Sequence, residues 1–103
     1  MSRLPEDLLL GTKFLASSVI RLYVSLPKRR KEIEVLGLQL LLSGTSIAAH
    51  ARGASRARSD AEFCSKLAGL LQEGDEAQRW VESLIEDCGI KTTELENAAS
   101  TIF

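Results

Sequence analysis

Aromatic residues make up only 5% of this 103-residue chain, and there are two prolines, two cysteines and one histidine. Each shortage excludes something. With so few aromatics the core must be aliphatic, built from Leu, Ile, Val and Ala, and no strand-like enrichment in aromatic and β-branched residues is present. With prolines only at positions 5 and 27, long helices run uninterrupted. His50, Cys64 and Cys88 cannot fill a four-ligand zinc site, and there is no C-x-x-C pair. No metal or other cofactor is expected. Glycine-rich phosphate loops are absent, because the stretch around Gly44 lacks the order G-x-x-x-x-G-K-[ST]. The leading apolar run Leu8-Leu9-Leu10 is short and follows Glu6 and Asp7, unlike a signal peptide. No stretch reads as a membrane span. The expectation is a cytoplasmic protein with reduced thiols, both buried among helical apolar positions, and no membrane partner.

What is present is helical periodicity. Hydrophobic residues amount to 45% of the chain. Pro5 with Glu6 and Asp7 suits a helix start, and Pro27 ends that helix near Ser25. Its apolar positions include Leu9, Phe14, Ile20 and Tyr23. A second helix spans about Arg29 to Ala51. Ile33, Leu36, Leu40, Ile47 and Ala51 recur at spacings of three, four and seven, and Leu38, Leu41 and Leu42 widen the stripe. A helix apolar on most sides is covered on most sides, which in so short a chain predicts self-association. Ser43-Gly44-Thr45-Ser46 are poor helix formers whose small size lets a neighbouring helix approach closely; a break into two helices is the alternative.

Gly53-Ala54-Ser55 reads as a loop. Ser59 and Glu62 have capping-box spacing and open a third helix. Phe63, Leu67, Leu70, Leu71, Ala77, Val81, Leu84, Ile85 and Cys88 form its stripe, with Trp80 beside it, and Gly89 caps it. Thr93 and Glu96 repeat the capping-box spacing for a short last helix, with Leu95, Ala98, Ala99 and Ile102 inward. The sum is a single domain over residues 1–103, an all-α, antiparallel up-down four-helix bundle with a short fourth helix.

Charge is balanced overall at a net of -1 but divided along the chain. Residues 1–59 carry ten Lys/Arg against four Asp/Glu, and residues 60–103 carry three against ten. Lys28, Arg29, Arg30 and Lys31 form one basic cluster; Arg52, Arg56 and Arg58 form another. They are either solvated helix ends or a surface for an acidic partner or a nucleic-acid backbone, which is a weak candidate partner. Glu73 and Glu76, with Arg79 one turn on, read as ion pairing rather than acid–base chemistry. No catalytic residue is expected. His50-Ala51-Arg52-Gly53 distantly resembles a histidine phosphotransfer motif, with one residue too few and Arg in place of Lys.

One family resemblance follows from specific residues. Leu26-Pro27, Leu40, Ser43 to Ala49, Phe63-Cys64-Ser65-Lys66-Leu67, Glu73, Glu76, Trp80 and Leu84-Ile85-Glu86 resemble four-helix-bundle proteins encoded in intervening sequences of bacterial large-subunit ribosomal RNA genes. The match covers roughly residues 22 to 90. It implies a four-helix bundle that assembles as a homo-oligomer, by analogy a pentameric ring, with a poorly defined molecular role. It marks Leu40, Gly44, Ile47, Phe63, Leu67, Trp80 and Leu84 as packing or oligomer positions and Lys66, Glu73 and Glu76 as motif polar residues. Distant relatives are basic accessory proteins of diversity-generating retroelements that bind nucleic acid. Here Leu42, His50, Gly53, Gln72 and Arg79 depart from the usual pattern, and Glu94 and Glu96 make the tail acidic, which weakens the nucleic-acid inference.

Overall fold

A computed structural model describes residues 2–91 and places three helices among them: α1 (Glu6–Ser25), α2 (Lys31–Ser55) and α3 (Asp60–Glu86). The described residues are all helix, turn and loop, as the periodicity predicts. The expected fourth helix, with Thr93, Leu95, Glu96 and Ile102, lies outside the described residues.

Local chemistry sets each boundary. Pro5 precedes α1 and its carbonyl accepts from the Leu9 amide at 3.2 Å. Leu26, ahead of Pro27, is extended at ψ 144, which stops the helix. Ser59 caps α3, its hydroxyl accepting from the Glu62 amide at 3.1 Å. Gly89 takes a left-handed φ of 71, the conformation glycine adopts at little cost after a helix end. The Gly89 turn lets Ile90 fold back, its amide donating to the Leu84 carbonyl at 3.0 Å.

Two local expectations are corrected. Gly53-Ala54-Ser55 is the last turn of α2, not a loop. Burial outweighs propensity here: Ala54 is fully buried, and the Ser55 hydroxyl donates to the Arg52 carbonyl at 2.7 Å. The serine-rich centre of α2 is also unbroken. Ser43 and Thr45 donate to the carbonyls of Gln39 and Leu41, four residues back, so their hydroxyls are satisfied inside the helix.

The short connections 26–30 and 56–59 make α2 antiparallel to both neighbours. α2 packs along α1 and α3, whereas no Cα of α1 lies within 8 Å of one in α3. Leu15, Val19 and Leu22 of α1, Ile33, Leu40 and Ile47 of α2, and Ala77, Val81 and Leu84 of α3 form the main core. Close approach of α1 depends on Gly44, whose Cα faces Val19, and on Gly37, which faces Leu26 and Tyr23. A smaller core closes the other end. There the N-terminal strap buries Leu4 against Ala51 and Ala54, with Phe63 and Leu67 packed around them. The Arg3 amide donates to the Ser55 carbonyl at 3.1 Å, and its guanidinium pairs with Asp60 at 2.8 Å.

Candidate functional site

The packing residues expected from sequence divide into two groups. Leu40, Gly44, Ile47 and Leu84 lie in the main core. Phe63 and Leu67 are half-buried around the smaller one, and Trp80 is half-buried at the edge of the main core. The Trp80 indole Nε1 is buried with no hydrogen-bond partner among the described residues.

The basic cluster at 28–31 is largely consumed by the fold. Lys28 donates to the Tyr23 carbonyl at 2.7 Å and the Val24 carbonyl at 3.3 Å, capping α1. Its ammonium also sits 4.7 Å from the centre of the Tyr23 ring. Arg30 pairs with Glu32 at 2.8 Å and donates to the Cys88 carbonyl at 3.1 Å, tying α2 to the end of α3. Lys31 pairs with Glu34 at 3.1 Å. Only Arg29 of the four makes no such contact with described residues. The Glu32 carboxyl is held below the ordinary carboxylate range, first by a hydrogen bond from its own backbone amide and then by Arg30.

The second cluster is freer. Arg58 approaches Glu62 at 3.7 Å. Arg52 and Arg56 have no ion pair among the described residues. With Lys13 of α1 they rim a surface hollow of about 540 Å³ whose remaining wall includes Leu10, Ala48 and Ala49.

The motif polar residues do not converge on a reactive group. Lys66 lays its aliphatic stem over Gly53, where an added Cβ would stand 3.0 Å from its Cδ. His50 packs across Gly69; a Cβ there would come within 2.8 Å of the ring. The histidine is half-buried between α2 and α3, unlike an exposed phosphoacceptor. Glu73 and Glu76 are half-buried, and neither forms the expected ion pair with Arg79, which points to solvent. Among the described residues no cluster of three His, Cys, Asp or Glu could hold a metal.

The largest departure from expectation is on the surface. Phe14 and Ile20, read as apolar positions of the first helix, are 59% and 47% exposed, and Leu71, placed in the apolar stripe of the third, is 67% exposed. In α1 the inner face is instead Thr12, Leu15, Ser18, Val19 and Leu22. Val24, Leu38 and Leu42 are exposed as well, at 73%, 41% and 53%. Val35, Leu38, Leu42 and Ala49 recur at spacings of three, four and seven along the outer side of α2. Ile20 and Val24 lie on the outer side of the adjoining α1. Both helices are long and apolar enough, by length and composition, to cross a membrane, which corrects the sequence reading. Only 28% of that stretch in α1 and 33% in α2 is buried within the chain. A second, open groove of about 410 Å³ separates α1 from α3, with Leu15 and Ile47 beneath and Leu8, Leu71 and Gly74 along its sides.

The class these features define is an all-helical protein that, among the described residues, exposes apolar side chains of both α1 and α2. Neither a family profile nor a curated protein matches this chain. A solved structure does. It is a protein of unknown function from the S23 ribosomal protein family of Bacteroides thetaiotaomicron VPI-5482. It is 32% identical with a TM-score of 0.81, and the match covers 92% of this chain and 87% of that one. The chain belongs to the S23 ribosomal protein family.

Proposed function

We propose that this chain is a non-enzymatic, self-associating helical bundle of the ribosomal RNA intervening-sequence type, acting as a cytoplasmic assembly or adaptor protein. One observation carries the reading: Ile20 and Val24 of α1 and Val35, Leu38 and Leu42 of α2 stand exposed on a chain of this size. Exposed apolar patches of this breadth mark interaction surfaces. Covering each such side chain removes apolar area from water at about 25 cal/mol per Å². The pentameric ring implied by the resemblance is the assembly we propose. We also propose the short fourth helix for residues 93–103.

Light scattering coupled to size exclusion tests the reading, and a single species of one chain's mass at micromolar concentration defeats it. Leu38→Asp and Leu42→Asp, at exposed positions, are expected to yield folded chains of lower mass. Unchanged assembly in both would remove α2 from the interface. Flotation with lipid vesicles tests the same face against a membrane, and comigration with the vesicles would replace self-association as the explanation.

A second reading, nucleic-acid binding, is favoured by Arg52 and Arg56, which have no ion pair among the described residues and stand beside Lys13. It predicts retention of RNA or DNA that weakens steeply with salt. No gel shift at low salt would end it.

A further inference from the structure

We infer that the hollow rimmed by Lys13, Arg52 and Arg56 receives the acidic outer edge of α3 from a second copy of this chain, so that subunits join head to tail. The inference rests on the self-association reading above and names the two surfaces that meet. Leu71, Asp75, Glu82 and Glu86, at spacings of four, seven and four, share one outer side of α3. Leu71 is 67% exposed, and the three carboxylates have no ion pair among the described residues. The basic hollow offers the complement: Leu10, Ala48 and Ala49 as an apolar wall, with three cations at its rim that no carboxylate of the described chain neutralises. An apolar knob followed by acids therefore faces an apolar socket edged by bases.

Pairing α2 with itself does not supply this complement. In a parallel two-fold contact Arg52 meets the partner copy's own Arg52. In an antiparallel one, Arg52 and Arg56 meet the end carrying Glu32 and Glu34, whose carboxylates are already paired within their own chain, with Arg30 at 2.8 Å and Lys31 at 3.1 Å. Neither brings a free carboxylate to the hollow. The acidic edge of α3 does, and it lies on a different surface of the chain from the hollow. A contact between two different surfaces is heterologous, and it closes into a ring or continues as a filament.

The experiment is a charge swap on the full chain. Arg52→Glu/Arg56→Glu and Asp75→Lys/Glu82→Lys are each made separately and then combined in one chain. Helicity is checked by far-UV circular dichroism and mass by light scattering across a dilution series. Each separate pair is expected to weaken assembly roughly tenfold or more, because like charges then face each other across the contact. The combined variant is expected to recover wild-type assembly. Rising salt should weaken the wild-type contact as the pairs are screened. Wild-type assembly that neither pair disturbs overturns this inference while leaving self-association intact. Two weakened pairs with no recovery on combination likewise overturn it, since the two surfaces then do not meet. A monomeric wild type defeats the underlying reading instead.

Discussion

Gly44 offers the sharpest test of the fold. It is buried on α2 where α1 crosses, and a Cβ built on it stands 2.9, 3.1 and 3.2 Å from Cγ2, Cγ1 and Cβ of Val19. Carbon atoms rest at about 3.5–4.0 Å, so all three contacts are repulsive. Val19 cannot swing aside: it is fully buried, and a β-branched side chain in a helix has essentially one rotamer. Gly44→Ala therefore pushes α1 outward at an overpacking cost of about 1–3 kcal/mol. Alanine returns about 0.8–1.0 kcal/mol in helix propensity. The net expectation is a loss of about 1 kcal/mol, a fall in Tm of roughly 4–8 °C for a chain of this size. Gly74→Ala is the matched control, because among the described residues nothing lies within 4 Å of its added Cβ. It gains the same propensity without the clash and should be stabilised by up to about 1 kcal/mol. The difference between the two variants isolates the steric term. Denaturant unfolding followed by circular dichroism, at one fixed protein concentration, measures it. Adding Val19→Ala to Gly44→Ala should recover about 0.5–3 kcal/mol relative to the sum of the single changes. Equal shifts for Gly44→Ala and Gly74→Ala, or strict additivity with Val19→Ala, would refute the close approach of α1 to α2.

Three further outcomes are expected. Ser59→Ala removes the cap on the Glu62 amide and should cost about 1 kcal/mol, read by thermal melting, whereas Ser59→Asp should retain most of it. Cys64 is exposed and Cys88 is buried, so a thiol reagent should modify one cysteine in the native protein and the second only on unfolding. The lowered pKa of Glu32 means its contribution to stability is present above the ordinary carboxylate pKa and is lost as pH falls through the folded value; an NMR titration showing Glu32 at or above that ordinary value would contradict the backbone hydrogen bond to its carboxylate and the contact with Arg30.

The helices were legible because their signals are local. Pro5, Pro27, the Ser59–Glu62 pair and Gly89 each mark a boundary that the structure keeps. The inner face of α2 was legible as well, since Ile33, Leu40, Ile47 and Ala51 repeat cleanly. The inner face of α1 was not. Apolar residues occur around most of its circumference, so Phe14 and Leu15 compete for the core on pattern alone. The structure buries Leu15 and, less predictably, Thr12, whose hydroxyl is satisfied by the Leu9 carbonyl at 3.0 Å. Cys64 follows the same logic: its apolar character predicts burial, yet it follows Phe63 directly and projects to the outer side of α3. The candidate basic site was half legible. Charge runs show in sequence, but that Lys28 and Arg30 serve as helix-end donors follows only from the path of the 26–30 connection. A cation just beyond a helix C-terminus was the available signal for Lys28. The strap that buries Leu4 carries no periodic signal at all.

Because α1 and α3 meet α2 and keep their backbones apart, the molecule is two hairpins sharing one strut. Among the described residues its helix–helix packing joins only helices adjacent in the chain, a topology that favours rapid folding. The arrangement also divides the native state unequally. α1 can lift away while the α2–α3 hairpin stays closed, but nothing survives the loss of α2. In hydrogen exchange the amides facing the α2–α3 seam should therefore be the last to open, with those of α1 forming a separate, earlier unit.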